Sequence, residues 1–202
     1  MKKFIIDADT GSDDAVAILL ALQDPSIEIL GISVVSGNVP LQQGIKNTIS
    51  TIDMTGKKVK VFAGAEKPLT REYEEVYVLD KFMEHVKSLK SSSASGQCVH
   101  GIDGMGDIGI KPSTEEYEEK NAIDFIIDTV NENPSEITLV TLGPLTNIAL
   151  AIQKDSSLSK KIKHCYVMGG TSDGTGNVSA AAEYNIWVDP EAAKICFDSG
   201  MK

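Results

Sequence analysis

Short apolar runs that end at polar or glycine residues alternate with helical patterns along most of the chain. The predicted strands, which are largely apolar, cover residues 4–8, 28–35, 58–63, 137–142 and 163–168. The predicted helices cover residues 13–22, 41–55, 120–132, 145–153 and 190–198. Strands without polar alternation indicate a parallel sheet whose two faces are both covered by helices. We therefore expect a three-layer α/β/α fold with a mostly parallel, doubly wound sheet.

The composition fits one soluble domain over residues 1–202 and excludes several classes of partner. The net charge of −10 lacks the basic surface that nucleic-acid binding needs, and it equally lacks the polybasic clusters that dock on anionic membranes. Neither a signal peptide nor an apolar run of 18 residues is present. Three widely spaced cysteines without a CxxC motif indicate reduced thiols, so a cytoplasmic protein is expected.

Four carboxylates crowd the turn between the first strand and the first helix, at Asp7, Asp9, Asp13 and Asp14. Helix capping and a solvated turn would explain Asp13 or Asp14, but not four acids directly after a buried strand. A divalent cation would relieve their repulsion. Oxygen ligands without Cys or His favour Ca²⁺ or Mg²⁺ over zinc, and the size of the cluster suits Ca²⁺.

Two further segments carry polar groups that suit a small-molecule site. Residues 176–185 hold two amides and one carboxylate among small residues, a set that binds sugar hydroxyls or forms a polar surface loop. His100 lies among glycines after a Ser-rich stretch at 88–97, where it would either line a lid or be structural. His85 and His164 are interpreted as structural. Since ligands of such folds bind at the carboxyl ends of the strands, these segments are expected to meet there.

Three motifs together resemble the inosine/uridine-preferring nucleoside hydrolase family over essentially the whole chain. They are DADTGSDDAVAILLAL near the start, TLGPLTNIALAI at 141–152 and GNVSAAAEYNIWVDPEAA at 176–193. The family usually has Pro where this chain has Thr10, which removes no carboxylate. The resemblance implies a Rossmann-like, nucleoside hydrolase-like fold and hydrolysis of the N-glycosidic bond of ribonucleosides by a Ca²⁺-activated water. It also implies a homodimer or homotetramer.

The resemblance further implies a role for individual residues. The implied Ca²⁺ ligands are Asp9, Asp14 and the backbone carbonyl of Leu142, with Asp7 as a supporting acid behind the metal. The implied catalytic residues are Asp9, as the general base, and His100, near the nucleobase. The implied substrate-binding residues, which contact or pack near the ribose, are Asp13, Asn38, Met168, Asn177, Glu183 and Asn185.

The resemblance leaves alternatives open, because family members continue past residue 202 into a lobe with a further Ca²⁺-binding Asp and often a His. A truncated remnant that binds ribosides or Ca²⁺ without catalysis is one alternative. A haloacid dehalogenase-like phosphatase using Asp7 and Asp9 is a remote one, since it expects Thr or Val where this chain has Gly11. The last predicted helix is expected to need a following strand that covers the sheet.

Overall fold

The structure is a computed structural model that describes residues 1–71 and 100–202. Its strands are β1 (Lys2–Ala8), β2 (Ile27–Val34), β3 (Val61–Ala63), β4 (Ile137–Thr141) and β5 (His164–Val167). All the pairings among them are parallel, in the order β3-β2-β1-β4-β5. The predicted parallel sheet is thereby confirmed. The Ser-rich stretch at 88–97, Cys98 and His85 lie outside the described residues.

The helices of the described residues cover both faces of this sheet. They are α1 (Ser12–Gln23), α2 (Leu41–Asp53), α3 (Ala122–Glu132), α4 (Thr146–Lys154), α5 (Leu158–Lys161), α6 (Tyr184–Val188) and α7 (Pro190–Asp198). Ile5 packs into one apolar core with residues of α3, α4 and α7, whereas Ile6 packs into a second core with residues of α1 and α2. Consecutive strand residues point to opposite faces, so the two cores lie on opposite sides of β1. This arrangement confirms the three-layer α/β/α architecture.

The order of the strands creates a crevice next to β1. The chain moves outward from β1 through β2 to β3 on one side, and through β4 to β5 on the other. The connections leave β1 in opposite directions at this point, so the loops after β1 and β4 diverge and open a cleft at the carboxyl ends of the strands. The acidic turn that follows β1 lies at this position.

Local capping explains where the later helices begin. The Asn121 side chain accepts a hydrogen bond from Ile123 N at 2.8 Å and caps α3. Asp189 does the same for α7 through Ala192 N at 2.9 Å, and Pro190 occupies the first turn, where a missing N–H costs nothing. Beyond α7, the carbonyl of Lys202 accepts a hydrogen bond from Cys165 N at 2.6 Å, so the backbone there runs beside β5.

Across the described ranges, no helix has the length and apolar character that crossing a membrane requires.

Candidate active site

Asp9 lies at the centre of the crevice and is fully buried. Its Oδ2 accepts a hydrogen bond from Asn38 N at 2.5 Å, while its Oδ1 has no hydrogen-bond partner among the described residues. Two glycines leave room for the carboxyl group. A Cβ built on Gly37 would lie 2.0 Å from Asp9 Oδ2, and one built on Gly143 would lie 2.7 Å from Oδ1. The site therefore holds a buried carboxylate oxygen that needs a partner from outside the described chain.

Asp14 lies near Asp9, in the first turn of α1, and is 4% exposed. Its Oδ2 accepts a hydrogen bond from Gly11 N at 3.0 Å. Burial raises the pKa of Asp14 to about 6, although the bond from Gly11 opposes the shift. Burial, followed by the charge of Asp14, raises the pKa of Asp9 well above its usual range. Two neighbouring carboxyl groups out of water favour either a shared proton or a bound cation.

Asp7 lies deeper in the sheet, on β1, with no exposed surface. Its Oδ1 accepts hydrogen bonds from Asn147 Nδ2 at 2.8 Å and from the hydroxyl of Ser33, whereas its Oδ2 has no partner in the described residues. Burial raises the pKa of Asp7 to about 7 despite the two hydrogen bonds. Neither Asn147 nor Ser33 was among the residues predicted for the site.

Asp13, Asn38 and His100 converge around Gly11. A Cβ built on Gly11 would lie 3.3 Å from Asp13 Oδ1, from Asn38 Nδ2 and from His100 Cγ. The His100 ring is held by Ser12, whose Oγ lies 2.8 Å from Nδ1, and Asp13 Oδ1 lies 3.7 Å from the same nitrogen. The structure thus brings three residues that are far apart in sequence to one rim of the crevice.

Asn185 forms the opposite wall of the site. Its Nδ2 donates to the carbonyls of Leu142 and Met168, at 2.8 and 3.1 Å. Its Oδ1 is buried and has no partner in the described part of the chain. The Leu142 carbonyl keeps a second lone pair for a ligand while it accepts this bond. Asn185 therefore offers an oxygen acceptor near the carbonyl of Leu142.

Glu183 and Asn177 are engaged with the backbone of their own segment. Glu183 caps α6: its Oε1 accepts from Asn185 N at 2.9 Å, and its Oε2 accepts from Gly170 N at 2.8 Å. Asn177 Oδ1 accepts from Tyr184 N at 2.8 Å. The predicted sugar contacts of both residues stay predictions, and the backbone contacts show how the segment is ordered.

The donor set fits a divalent cation bound by oxygen. No three His, Cys, Asp or Glu side chains gather into a metal site within residues 1–71 and 100–202, so two carboxylates would be joined by neutral oxygens. Asp9 Oδ1 has no hydrogen-bond partner in the described part of the chain, Asp14 is its acidic neighbour, and the Leu142 carbonyl lies at the end of the adjacent strand. Ca²⁺ accepts such mixtures of carboxylate, carbonyl and water oxygens.

Comparison with known proteins agrees with this geometry. The model of the inosine-uridine preferring nucleoside hydrolase family matches residues 4–202. The chain belongs to this family.

Two curated nucleoside hydrolases are similar over nearly the whole chain. Uridine nucleosidase 1 of Arabidopsis thaliana is 40% identical over 200 residues, which are 98% of this chain and 54% of that protein. The pyrimidine-specific ribonucleoside hydrolase of Escherichia coli is 36% identical over 99% of this chain and 57% of its own length. The chain therefore spans little more than half the length of these relatives.

A solved nucleoside hydrolase has the same fold. The purine-preferring ribonucleoside hydrolase from Gardnerella vaginalis aligns with a TM-score of 0.84 and 36% identity, over 98% of this chain and 58% of that one. Membership of the nucleoside hydrolase family favours glycosidase chemistry over the phosphatase alternative. The family resemblance predicted from the three motifs is confirmed.

Proposed function

We propose that the protein containing these residues hydrolyses the N-glycosidic bond of ribonucleosides to ribose and free base, with Ca²⁺ as cofactor. The observation that supports this most is the buried Asp9–Asp14 pair, in which Asp9 Oδ1 has no partner among the described residues and lies beside Gly143 in the crevice. The names of the relatives, which act on uridine, other pyrimidine nucleosides or purine nucleosides, support the substrate class. We further propose that residues 1–202 form a single α/β domain.

Asp9, Asp14 and the carbonyl of Leu142 would hold the cation. Bound Ca²⁺ would neutralise the two carboxylates and make a nearby water molecule more acidic. Asp9 Oδ1, which has no partner in the described residues, would contact the cation, and the Asp9 carboxylate would also accept the proton from that water. The hydrogen bond from Asn38 N to Oδ2 holds the carboxyl group in one orientation while it does so.

The remaining polar groups would bind the sugar and stabilise its developing charge. Asp13 and Asn38 on one rim, and Asn185 on the opposite wall, offer carboxylate and amide groups that suit ribose hydroxyls. Cleavage of a glycosidic bond passes through an oxocarbenium-like sugar, which nearby carboxylates stabilise. His100 stands next to Asp13, where it would face the leaving base.

The test is sugar release from inosine and uridine by the natural polypeptide that contains residues 1–202. Asp9→Asn keeps the shape of the side chain and removes the proton acceptor, so we expect kcat to fall by about 10²–10⁴-fold. Asp128→Asn, an exposed change of the same chemistry on α3, is the matched control and should leave kcat unchanged. Retention of more than half the activity by Asp9→Asn would assign the base elsewhere.

The second candidate function is binding of ribosides or Ca²⁺ without catalysis. Because residues 1–202 span only 54–58% of the relatives, this candidate has to be tested on the 202-residue chain itself. Calorimetric binding of ribose by the 202-residue chain, together with no release of base from inosine or uridine, would support this candidate.

A further inference from the structure

Tyr184 joins two parts of the site that lie 147 positions apart in sequence. Its hydroxyl donates a hydrogen bond of 3.0 Å to the carbonyl of Gly37. Its own backbone N–H donates to Asn177 Oδ1, at 2.8 Å. Tyr184 is thus tied both to the segment that precedes α6 and to the turn that follows β2.

The turn that receives this hydrogen bond is the one that holds Asp9. Gly37 packs so closely on Asp9 that no Cβ would fit, and the next residue, Asn38, donates its N–H to Asp9 Oδ2. The Gly37 N–H is itself bonded to the Val39 carbonyl, at 3.2 Å, so the turn is compact. A side chain that donates a hydrogen bond to the Gly37 carbonyl therefore restrains the turn that forms one wall of the Asp9 site.

The segment that Tyr184 would fasten carries the residues proposed for the sugar. Residues 169–183 are mostly exposed turns, and the hydrogen bonds seen for them among the described residues lie within 169–187. Gly170 N bonds to Glu183, and Gly176 N bonds to the Ala180 carbonyl, at 2.8 and 3.1 Å, so these contacts stay within the segment. The Tyr184 hydroxyl instead reaches across the crevice.

We propose that the Tyr184 hydroxyl is a positioning latch, which holds the 169–183 segment over the sugar site by its bond to Gly37. This inference rests on the proposed function for its link to ribose. The latch acts through the position of the segment and makes no contact with the reacting atoms. A protein whose binding-competent state is less populated binds its ligand more weakly by that fraction, so closure governs affinity for every nucleoside alike.

Tyr184→Phe isolates the hydroxyl because it keeps the aromatic ring. Loss of one neutral hydrogen bond corresponds to a shift of about 3- to 10-fold in the opening equilibrium. Amide hydrogen exchange of residues 176–178 and 184–186 should become faster by that factor, while exchange in α3 should not change. Tyr117→Phe, at a tyrosine that is 40% exposed, is the matched control and should leave both regions as they are.

The kinetic readout separates a latch from a group with a chemical or purely structural role. In the natural polypeptide, Tyr184→Phe should raise KM for inosine and uridine by the same factor, of up to about 10, with kcat within twofold. Trp187, the only tryptophan, lies three residues on and provides a fluorescence signal for ribose titration. That titration should show the same loss of affinity without any turnover.

Several results would overturn the proposal. Unchanged amide exchange would mean that the hydroxyl does not hold the segment, and an unchanged KM with faster exchange would mean that closure does not govern sugar binding. A fall in kcat alone would give Tyr184 a chemical role, and a KM effect on one nucleoside would place it at the base. If the wild-type protein releases no sugar, the proposed function fails, yet hydrogen exchange still decides whether the latch exists.

Discussion

Asn147 connects the carboxyl ends of three strands, so its removal should strongly lower the free energy of unfolding. Its side chain is fully buried and makes three contacts to three different strand ends. Nδ2 donates to Asp7 Oδ1 near the end of β1 and to the Val34 carbonyl at the end of β2, at 2.8 and 3.2 Å. Oδ1 accepts from Ala65 N, just after β3, at 2.8 Å. We predict that Asn147→Ala destabilises the fold far more than an average substitution does.

The magnitude follows from what the truncation leaves behind. The Ala65 N–H loses its acceptor, and Asp7 keeps only the Ser33 hydroxyl for its Oδ1. A buried polar group left without a partner costs about 1–3 kcal/mol, and the empty volume of the amide adds to the loss. The free energy of unfolding should therefore fall by about 3–5 kcal/mol. For a chain of this size that corresponds to a drop in Tm of about 6–20 °C.

Urea unfolding followed by circular dichroism measures this change directly. Asn131→Ala is the matched control, because within the described ranges the exposed Asn131 amide bonds to the surface side chains of Asp155 and Lys161. It should cost less than about 1 kcal/mol. If the two variants unfold within 1 kcal/mol of each other, the proposed role of Asn147 as a tie between the strand ends is wrong.

Two further predictions concern the cation and the sugar. Because burial raises the pKa of Asp7 to about 7 and that of Asp14 to about 6, the folded state without metal binds more protons than the unfolded state, so stability should fall from pH 4 to pH 7. A Ca²⁺ concentration of 100 times the Kd at pH 7 should add about 2.7 kcal/mol to the free energy of unfolding at that pH, and the same concentration should add less at pH 5. A Tm insensitive to both Ca²⁺ and chelator would contradict the site. Glu183→Ala should weaken inosine and uridine by similar factors in steady-state kinetics, because the residue orders the sugar-binding segment and not the base; a loss confined to one nucleoside would argue against it.

The sequence predicted the parts of the fold and site that local patterns encode. Apolar strands such as 137–142 and the cap and proline of α7 depend on neighbouring residues, and their elements appear with ends shifted by only a few positions. The acidic turn was recognised because four carboxylates after a buried strand have few physical explanations. These signals need no knowledge of which strands lie side by side.

The contacts that join distant segments could not be predicted in the same way. Asn147 reaches Asp7 across 140 positions, and only the adjacency of β1 and β4 reveals why that amide is buried. Helix α6 is five residues long, too short for a periodic pattern, and Glu183 fixes its start by accepting backbone N–H groups. The sequence around Tyr184 does not indicate that its hydroxyl bonds to Gly37, because the two residues are 147 positions apart.

Strand register explains why Gly143 is required beside Asp9, and this leads to a last prediction. Asp7 of β1 pairs with Thr141 of β4. Two residues further along each of these two segments, Gly143 therefore lies beside Asp9. A Cβ there would lie 2.7 Å from Asp9 Oδ1, the oxygen without a partner in the described residues. Gly143→Ala should therefore displace the carboxyl group and reduce Ca²⁺ affinity at least tenfold.

The control for Gly143→Ala has to separate the site from general stability. Gly56→Ala places its Cβ in open space but strains a backbone with φ of 66°, so it should cost about 1 kcal/mol of stability. It should nevertheless keep the full rise in Tm on addition of Ca²⁺, whereas Gly143→Ala should lose at least about half of that rise. Equal Ca²⁺ responses in the two variants would show that Asp9 Oδ1 does not bind the cation, because the methyl group placed beside that oxygen by Gly143→Ala would have left Ca²⁺ binding unchanged.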